Sequence, residues 1–147
     1  MESIAETIRE IVSETKDQLL AISSEHARQK PAADAWSKQE ILGHLVDSAV
    51  NNHQRVVRTA MNMGGDFPPY QQEQWVLIQA YNKRDWFTMI DLWVQVNLHL
   101  CSVIETLSDV ALGNLCNVGK DHPVPLRWVI NDYLRHLKMH LEDILKA

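Results

Sequence analysis

Little in this sequence interrupts a helix. Glycine and proline number five each in 147 residues. No segment alternates polar and apolar residues with period two over a useful length, so strand content near zero is expected. Cysteine is scarcer still. Cys101 and Cys116 form no CxxC pair, which argues against a cysteine-ligated zinc module and against a disulfide scaffold. Two free thiols in a cytoplasmic setting is the reading that remains. Basic residues are outnumbered: 14 Lys and Arg face 19 Asp and Glu, a net charge of −5. With no basic run to override that balance, nucleic acid and an anionic membrane surface are not expected partners. No stretch reads as the roughly 20 apolar residues of a membrane span. The opening MESIAETIREIVSETKDQLL has neither the basic leader nor the unbroken apolar core of a signal peptide. GxSxG and a cysteine in a nucleophile setting are also missing, and Gly64 and Gly65 stand without the lysine of a P-loop.

What is present is helical periodicity. Hydrophobic residues make up 46% of the chain, enough for one core and one domain spanning 1–147. Ile4, Ile8, Ile11, Thr15, Leu19 and Ile22 mark the face of a first helix. Pro31 makes residues 26–36 a connection. Ser37 and Glu40 in SKQE form a capping box that opens a second helix, expected to run to about Met63. A shorter helix is expected over 71–81. Asp85 then caps a third long helix with the stripe Trp86, Ile90, Trp93, Leu100, Ile104 and Leu107. Residues 108–124 read as irregular. A last helix begins near Pro125, with the stripe Leu126, Ile130, Leu134, Leu137, Leu141 and Leu145. Four long amphipathic helices of this size predict an all-α four-helix bundle with short extra helical segments in its connections.

The sharpest local feature is HLKMH, which places His136 and His140 at i and i+4, one turn apart on one side of the last helix. Two such histidines fit a metal and equally fit a solvated face. At ~100° per residue, His140 falls roughly 60° and His136 roughly 100° from the centre of the leucine stripe. That is the flank of the buried face. The second helix carries a polar seam of Glu40, His44, Ser48, Asn51 and Arg55, which reads alone as a partly exposed edge. Facing the HLKMH flank, it would complete a site of three nitrogens with an open position. Such ligands flank the core without filling it. Asp47, Asp132 and Asp143 each lie one turn from one of these histidines and are candidates to orient the imidazoles. Asn51 and Arg55 are candidates to hold a carboxylate. Trp36 and Trp75 are candidates to wall a pocket, or are core. Asn97 falls on the core face of the third helix, where it makes a structural hydrogen bond or points into the pocket. His99 and His53 point away from the candidate site, and His26 and His122 lie in connections.

Three segments, WSKQEILGHLVDSAVNNHQR (36–55), FPPYQQEQWVLIQAYNKRDW (67–86) and INDYLRHLKMHLEDI (130–144), resemble the DinB-like (DinB/YfiT-like) superfamily of metalloenzymes over most of the chain. The resemblance implies an up-down-down-up four-helix bundle. It implies one divalent metal held by one histidine of the second helix and two of the last, which match His44, His136 and His140. Zinc or nickel come first as the ion, with iron or manganese compatible. Relatives of this kind include transferases and isomerases that use a low-molecular-weight thiol, and others described as metal-dependent hydrolases. Many are homodimers. The apolar surplus of the third helix, Phe87, Leu92, Val94 and Val96, agrees with a second copy as partner. The expected function is therefore a metal-dependent transferase acting on a small molecule with a thiol. A hydrolase, or a non-enzymatic metal-stabilised stress protein, is the alternative.

Overall fold

In chain order the elements are α1 (Ile4–Leu20), α2 (Ser24–Arg28), α3 (Lys38–Ala60), α4 (Gln72–Gln79), a single 3-10 turn (Tyr81–Lys83), α5 (Trp86–Glu105), α6 (Asp109–Leu112), β1 (Leu115–Cys116), β2 (Val124–Pro125) and α7 (Leu126–Leu145). They come from a computed structural model, which describes residues 3–62 and 65–146. Side chains set most of the long helix starts. Ser3 with Glu6 and Ser37 with Glu40 form reciprocal capping boxes, and the Asp85 carboxylate accepts from the Thr88 amide. Each satisfies a backbone donor that the first turn leaves unpaired. Pro125 occupies the cap position of α7 itself.

The long helices form a four-helix bundle in which α3 packs on both α5 and α7, and α1 on α5 and α7. Contacts at the helix ends fix the directions. Arg9 near the start of α1 meets Glu105 at the end of α5, and the Trp86 indole donates to the Ile22 carbonyl at the opposite end; these two helices are antiparallel. Lys38 at the start of α3 donates to the carbonyls of Ile144 and Lys146, so α3 and α7 are antiparallel. Gln39 donates to the carbonyls of Tyr81 and Arg84 just ahead of α5, so α3 and α5 run parallel. The order is up-down-down-up. Parallel neighbours need a connection that travels back the length of a helix. At 1.5 Å per residue α3 is about 34 Å long, and residues 61–85 cover that return.

Several expectations change in detail. Residues 26–36 begin with the end of α2, because Ser23 caps a short turn before Pro31. Residues 108–124 hold α6 and most of a two-strand hairpin, in which Leu115 pairs with Pro125 and Cys116 with Val124. The expected end of the second helix near Met63 lies outside the described residues; α3 closes at Ala60 with Met61 as its cap. The buried stripe of α7 is Leu126, Val129, Ile130, Tyr133, Leu137, Leu141 and Ile144, with Leu134 and Leu145 only partly buried. It is rotated toward the histidine flank because α7 is covered there by α3. α5 is long and apolar enough, by length and composition, to cross a membrane, contrary to the sequence reading. In the bundle Trp86, Ile90, Trp93 and Leu100 of that helix are core. Val94 is core as well, whereas Phe87 and Leu92 are 46% and 42% exposed. Asn97 is structural: its amide donates to the Trp93 carbonyl, and its oxygen accepts from the Tyr133 hydroxyl.

Candidate metal centre

Residues 42–49 of α3 are all buried, so the polar seam is no exposed edge at this height. Gly43 makes that possible. A Cβ there would lie 2.1 Å from the Tyr81 ring, so only a glycine lets the 3-10 turn lie flat on the helix. The Tyr81 hydroxyl then reaches the Asp47 carboxylate, which also accepts from Gln79 at 2.8 Å. The start of α3 is held by further contacts. Ser37 donates to Asn82 at 2.6 Å, and Gln39 bridges to the backbone ahead of α5.

Beside this clamp His44 projects toward α7 with 0% exposure. Because α3 and α7 are antiparallel, the start of one meets the end of the other, where His136 and His140 stand. The ring nitrogens of the three histidines lie within 4.8 Å of one another. The Nε2 atoms of His44 and His136 are 3.2 Å apart. Ring centroids are separated by 5.1 Å (His44–His136), 4.8 Å (His44–His140) and 4.4 Å (His136–His140). Nitrogens about 2.0–2.1 Å from a tetrahedral ion sit roughly 3.3–3.4 Å from each other, so the His44–His136 spacing already matches shared coordination. The Trp36 ring packs on His44 at 5.1 Å.

The electrostatics favour neutral imidazoles. Burial first, then repulsion from His136 and His140, lowers the His44 pKa from 6.5 to about 3. Burial and His140 lower that of His136 to about 4, against an opposing pull from Asp132. His140 is lowered by burial, with Asp143 opposing. The Nδ1 atoms of His44 and His136 are buried with no hydrogen-bond partner. Three deprotonated nitrogens facing one point, in a pocket that resists a proton, is a donor set suited to a divalent ion of borderline hardness. The residues present fit such an ion.

Of the residues expected to orient the imidazoles, Asp143 comes nearest, its carboxylate 3.7 Å from the His140 Nδ1. Asp132 pairs with Arg135 at 2.9 Å. Asp47 is turned to Tyr81 and Gln79, which the long connection brings over α3. Asn51 and Asn52 both bend back along their own helix, to the carbonyls of Asp47 and Ser48, and of the two it is Asn52 that lines the cleft beside His136. Trp75 packs on Tyr70 and not on the triad.

Two clefts flank the histidines. The larger, about 600 Å³, touches His140 and Trp36 and is rimmed by Lys30, Lys38, Glu73 and Asp143. The smaller, about 150 Å³, touches His136 and is lined by Ser48, Asn52, Arg55, Tyr70, Gln72 and Asp132. Burial first, and Asp47 next, push the Tyr70 phenol up to about 12, with Arg55 pulling against them, so it remains a hydrogen-bond donor at neutral pH. Tyr70, Tyr81, Gln79 and Asn52 escape a reading by spacing. The first three lie in the return connection and Asn52 is neighbour to a stronger candidate. The one local signal is Gly43 beside His44, with Asp47 one turn on.

The fold finds counterparts among known proteins. The sequence matches the DinB superfamily over residues 6–144. The chain belongs to the DinB superfamily. Among solved structures this DinB-superfamily chain is similar to YfiT from Bacillus subtilis, described as a probable metal-dependent hydrolase with an unusual four-helix bundle topology. The TM-score is 0.81 at 16% identity, covering 96% of this chain and 81% of that one. It is also similar to a mycothiol-dependent maleylpyruvate isomerase, with a TM-score of 0.77 at 12% identity, covering 94% of this chain and 58% of that one. A histidine-to-alanine mutant of that isomerase superposes equally well. The chain thus spans about three fifths of the isomerase's length. These identities establish a shared fold. No curated protein sequence matches significantly.

Proposed function

We propose that this protein is a metal-dependent enzyme in which His44, His136 and His140 hold one divalent ion, zinc or nickel before iron or manganese, and that it transfers a group to or from a low-molecular-weight thiol. The observation that carries the reading is the convergence of three neutral imidazoles beside an open cleft. When bound, the ion supplies Lewis acidity that lowers the pKa of a thiol or of water. The chain's own residues supply the rest. Trp36 packs on His44 and walls the larger cleft, which admits a small molecule. Arg55 offers a planar cation to a carboxylate, because Asp132, the acid lining the same cleft, is taken by Arg135. Asn52 and the Tyr70 hydroxyl stand beside it as further hydrogen-bonding groups. Asp143 steers the His140 ring from its outer side.

Hydrolysis is the second reading, favoured by the likeness to a probable metal-dependent hydrolase. The two readings part on a thiol. Metal analysis of the purified protein, followed by thermal-shift screening with small thiols, tests them, since a ligand raises the melting temperature only by binding the folded state preferentially. Metal without any thiol shift favours hydrolysis or a non-enzymatic metal-stabilised role, and absence of metal overturns all three readings. We further propose a cytoplasmic homodimer, supported by the two buried free thiols and by Phe87 and Leu92 on the outside of α5. A monomer in sedimentation at high micromolar concentration would refute the dimer.

A further inference from the structure

His53 and His99 take no part in the triad. They stand on α3 and α5, which pack side by side and parallel, and their rings meet on the outside of the bundle with centroids 5.1 Å apart and planes inclined by 52°. That separation equals the one between His44 and His136. Neither ring has any other hydrogen-bond or ion-pair partner among the described residues. His53 is half-buried and His99 exposed, so ring nitrogens remain within reach of solvent. The residues three and four positions to either side of each histidine are all uncharged, and no carboxylate one turn away competes for a ring N–H. His53 is about 13.5 Å along the α3 axis from His44 and half a turn round it. The two groups of histidines therefore lie on opposite faces of one helix and cannot share an ion.

We propose that His53 and His99 form a second, outer metal site. It is a two-imidazole chelate for a borderline divalent ion, with water in the remaining positions, and Cu²⁺ is the ion it holds most tightly. Imidazole suits copper, nickel and zinc, and the general order of affinity places Cu²⁺ highest. Both ligands stand on long helices packed together in the bundle, so little freedom is lost when the ion arrives. Two ligands hold less firmly than three, so the outer site is weaker than the triad and exchanges its ion with solvent.

The test is a Cu²⁺ titration of protein already carrying one equivalent of zinc, read by calorimetry, by the paramagnetic resonance of bound copper and by the zinc released. One ion per chain is expected beyond any that enters the triad by releasing zinc one for one, with nitrogen hyperfine structure. His53→Ala and His99→Ala each lose that additional equivalent and leave the inner ion in place. His99→Phe keeps a ring packed on His53 but removes the nitrogens, and it too loses the equivalent. The outer site does not depend on the triad. A His136→Ala/His140→Ala variant still takes copper, and adding His99→Ala abolishes that uptake. A wild type that takes no second ion, or a second ion that persists in the His53 and His99 variants, overturns the proposal; persistence would place the copper elsewhere, for example at the exposed His26 or His122.

Discussion

His44 and His53 are the same residue type on the same helix, about two and a half turns apart, and the fold treats them oppositely. Around His44 the helix is covered on every side, by α7, by Trp36 and by the Tyr81 turn lying on Gly43. Around His53 the outer face is open, with Val50 45% exposed. Burial strips the inner ring of water and pushes its pKa to about 3, leaving a neutral ligand aimed at two more. The outer ring keeps solvent and meets a single partner. Periodicity assigns a residue to a face of its helix. What covers that face is decided by chain segments far away, and that cover separates a closed three-nitrogen centre from an open pair.

The comparison breaks most completely at the inner group. His136→Ala and His140→Ala are expected to abolish stoichiometric tight metal binding, as measured by elemental analysis after gel filtration, because two remaining ligands are too few for a firm site. Stability falls by the lost linkage, about 2.7 kcal/mol at a metal concentration 100 times the dissociation constant. His44→Ala loses the metal too and costs about 2 kcal/mol more. The sequence placed this ring on the flank of the core, but it is fully buried, and its removal leaves a cavity. Full retention of metal in all three variants would remove the triad from the argument.

Acid sharpens the same contrast. In the metal-free protein His44 and His136 stay neutral down to about pH 3 and 4, whereas unfolded imidazoles take up protons near 6.5. Between those values the unfolded state binds more protons, so stability rises with pH and is lost on acidification. Each buried ring costs up to about 1.4 kcal/mol per pH unit below 6.5. The charged groups that face them, Asp132 and Arg135 near His136 and Asp143 near His140, act in opposing senses. Denaturant midpoints of metal-free protein at pH 7, 6, 5 and 4 should therefore fall steadily. A variant with His44 and His136 both replaced should show a shallower slope than wild type; an equal slope would place the sensitivity elsewhere.

Gly43→Ala comes next. Alanine gains about 1 kcal/mol of helix propensity over glycine, but its Cβ would enter the Tyr81 ring at 2.1 Å. Forced repacking of this kind costs typically about 1–3 kcal/mol, so a net loss of stability is expected. The Asp47–Tyr81 bond should also be broken, visible as a changed tyrosine absorbance. An unchanged or raised melting temperature would show that the turn simply moves aside.

How much of this was legible beforehand follows from where the information lies. The four long helices, the SKQE cap and the HLKMH flank are local patterns, set by residues three or four apart, and they were readable. Joining His44 to His136 and His140 took the family resemblance, because a helical wheel gives faces but not which faces meet. Asp47 shows the same limit. Its position one turn from His44 is a local fact, while its partners Tyr81 and Gln79 arrive through the α3–α5 return. Asn51 and Asn52 are neighbours in sequence, and only the packing of Tyr70 and α7 decides which of them lines the smaller cleft. The His53–His99 contact had no local signal at all.

Tyr133→Phe probes the bundle interior beneath the centre. The Tyr133 hydroxyl donates to the buried Asn97 oxygen, and removing it leaves that acceptor unpaired at a cost of about 1–3 kcal/mol, toward the lower end because the ring still packs. Metal content should not change, since Tyr133 is not among the histidines that converge. Metal lost along with that modest stability would mean that the Asn97–Tyr133 bond helps set the pitch of α7 and so the aim of His136.

The smallest effect is expected from His99→Ala, and its smallness is informative. The ring is exposed and makes no hydrogen bond among the described residues, so truncation should change stability by no more than about 0.5 kcal/mol. The first equivalent of zinc should bind with unaltered affinity, because His44, half a turn round α3 from His53, cannot sense the loss through any shared ligand. The second, copper-binding equivalent alone should disappear. Calorimetry of wild type and variant side by side therefore tests both groups at once. A drop in zinc affinity would mean that the inner and outer histidines are coupled through α3, and the opposition between them would have to be replaced by a single, larger network.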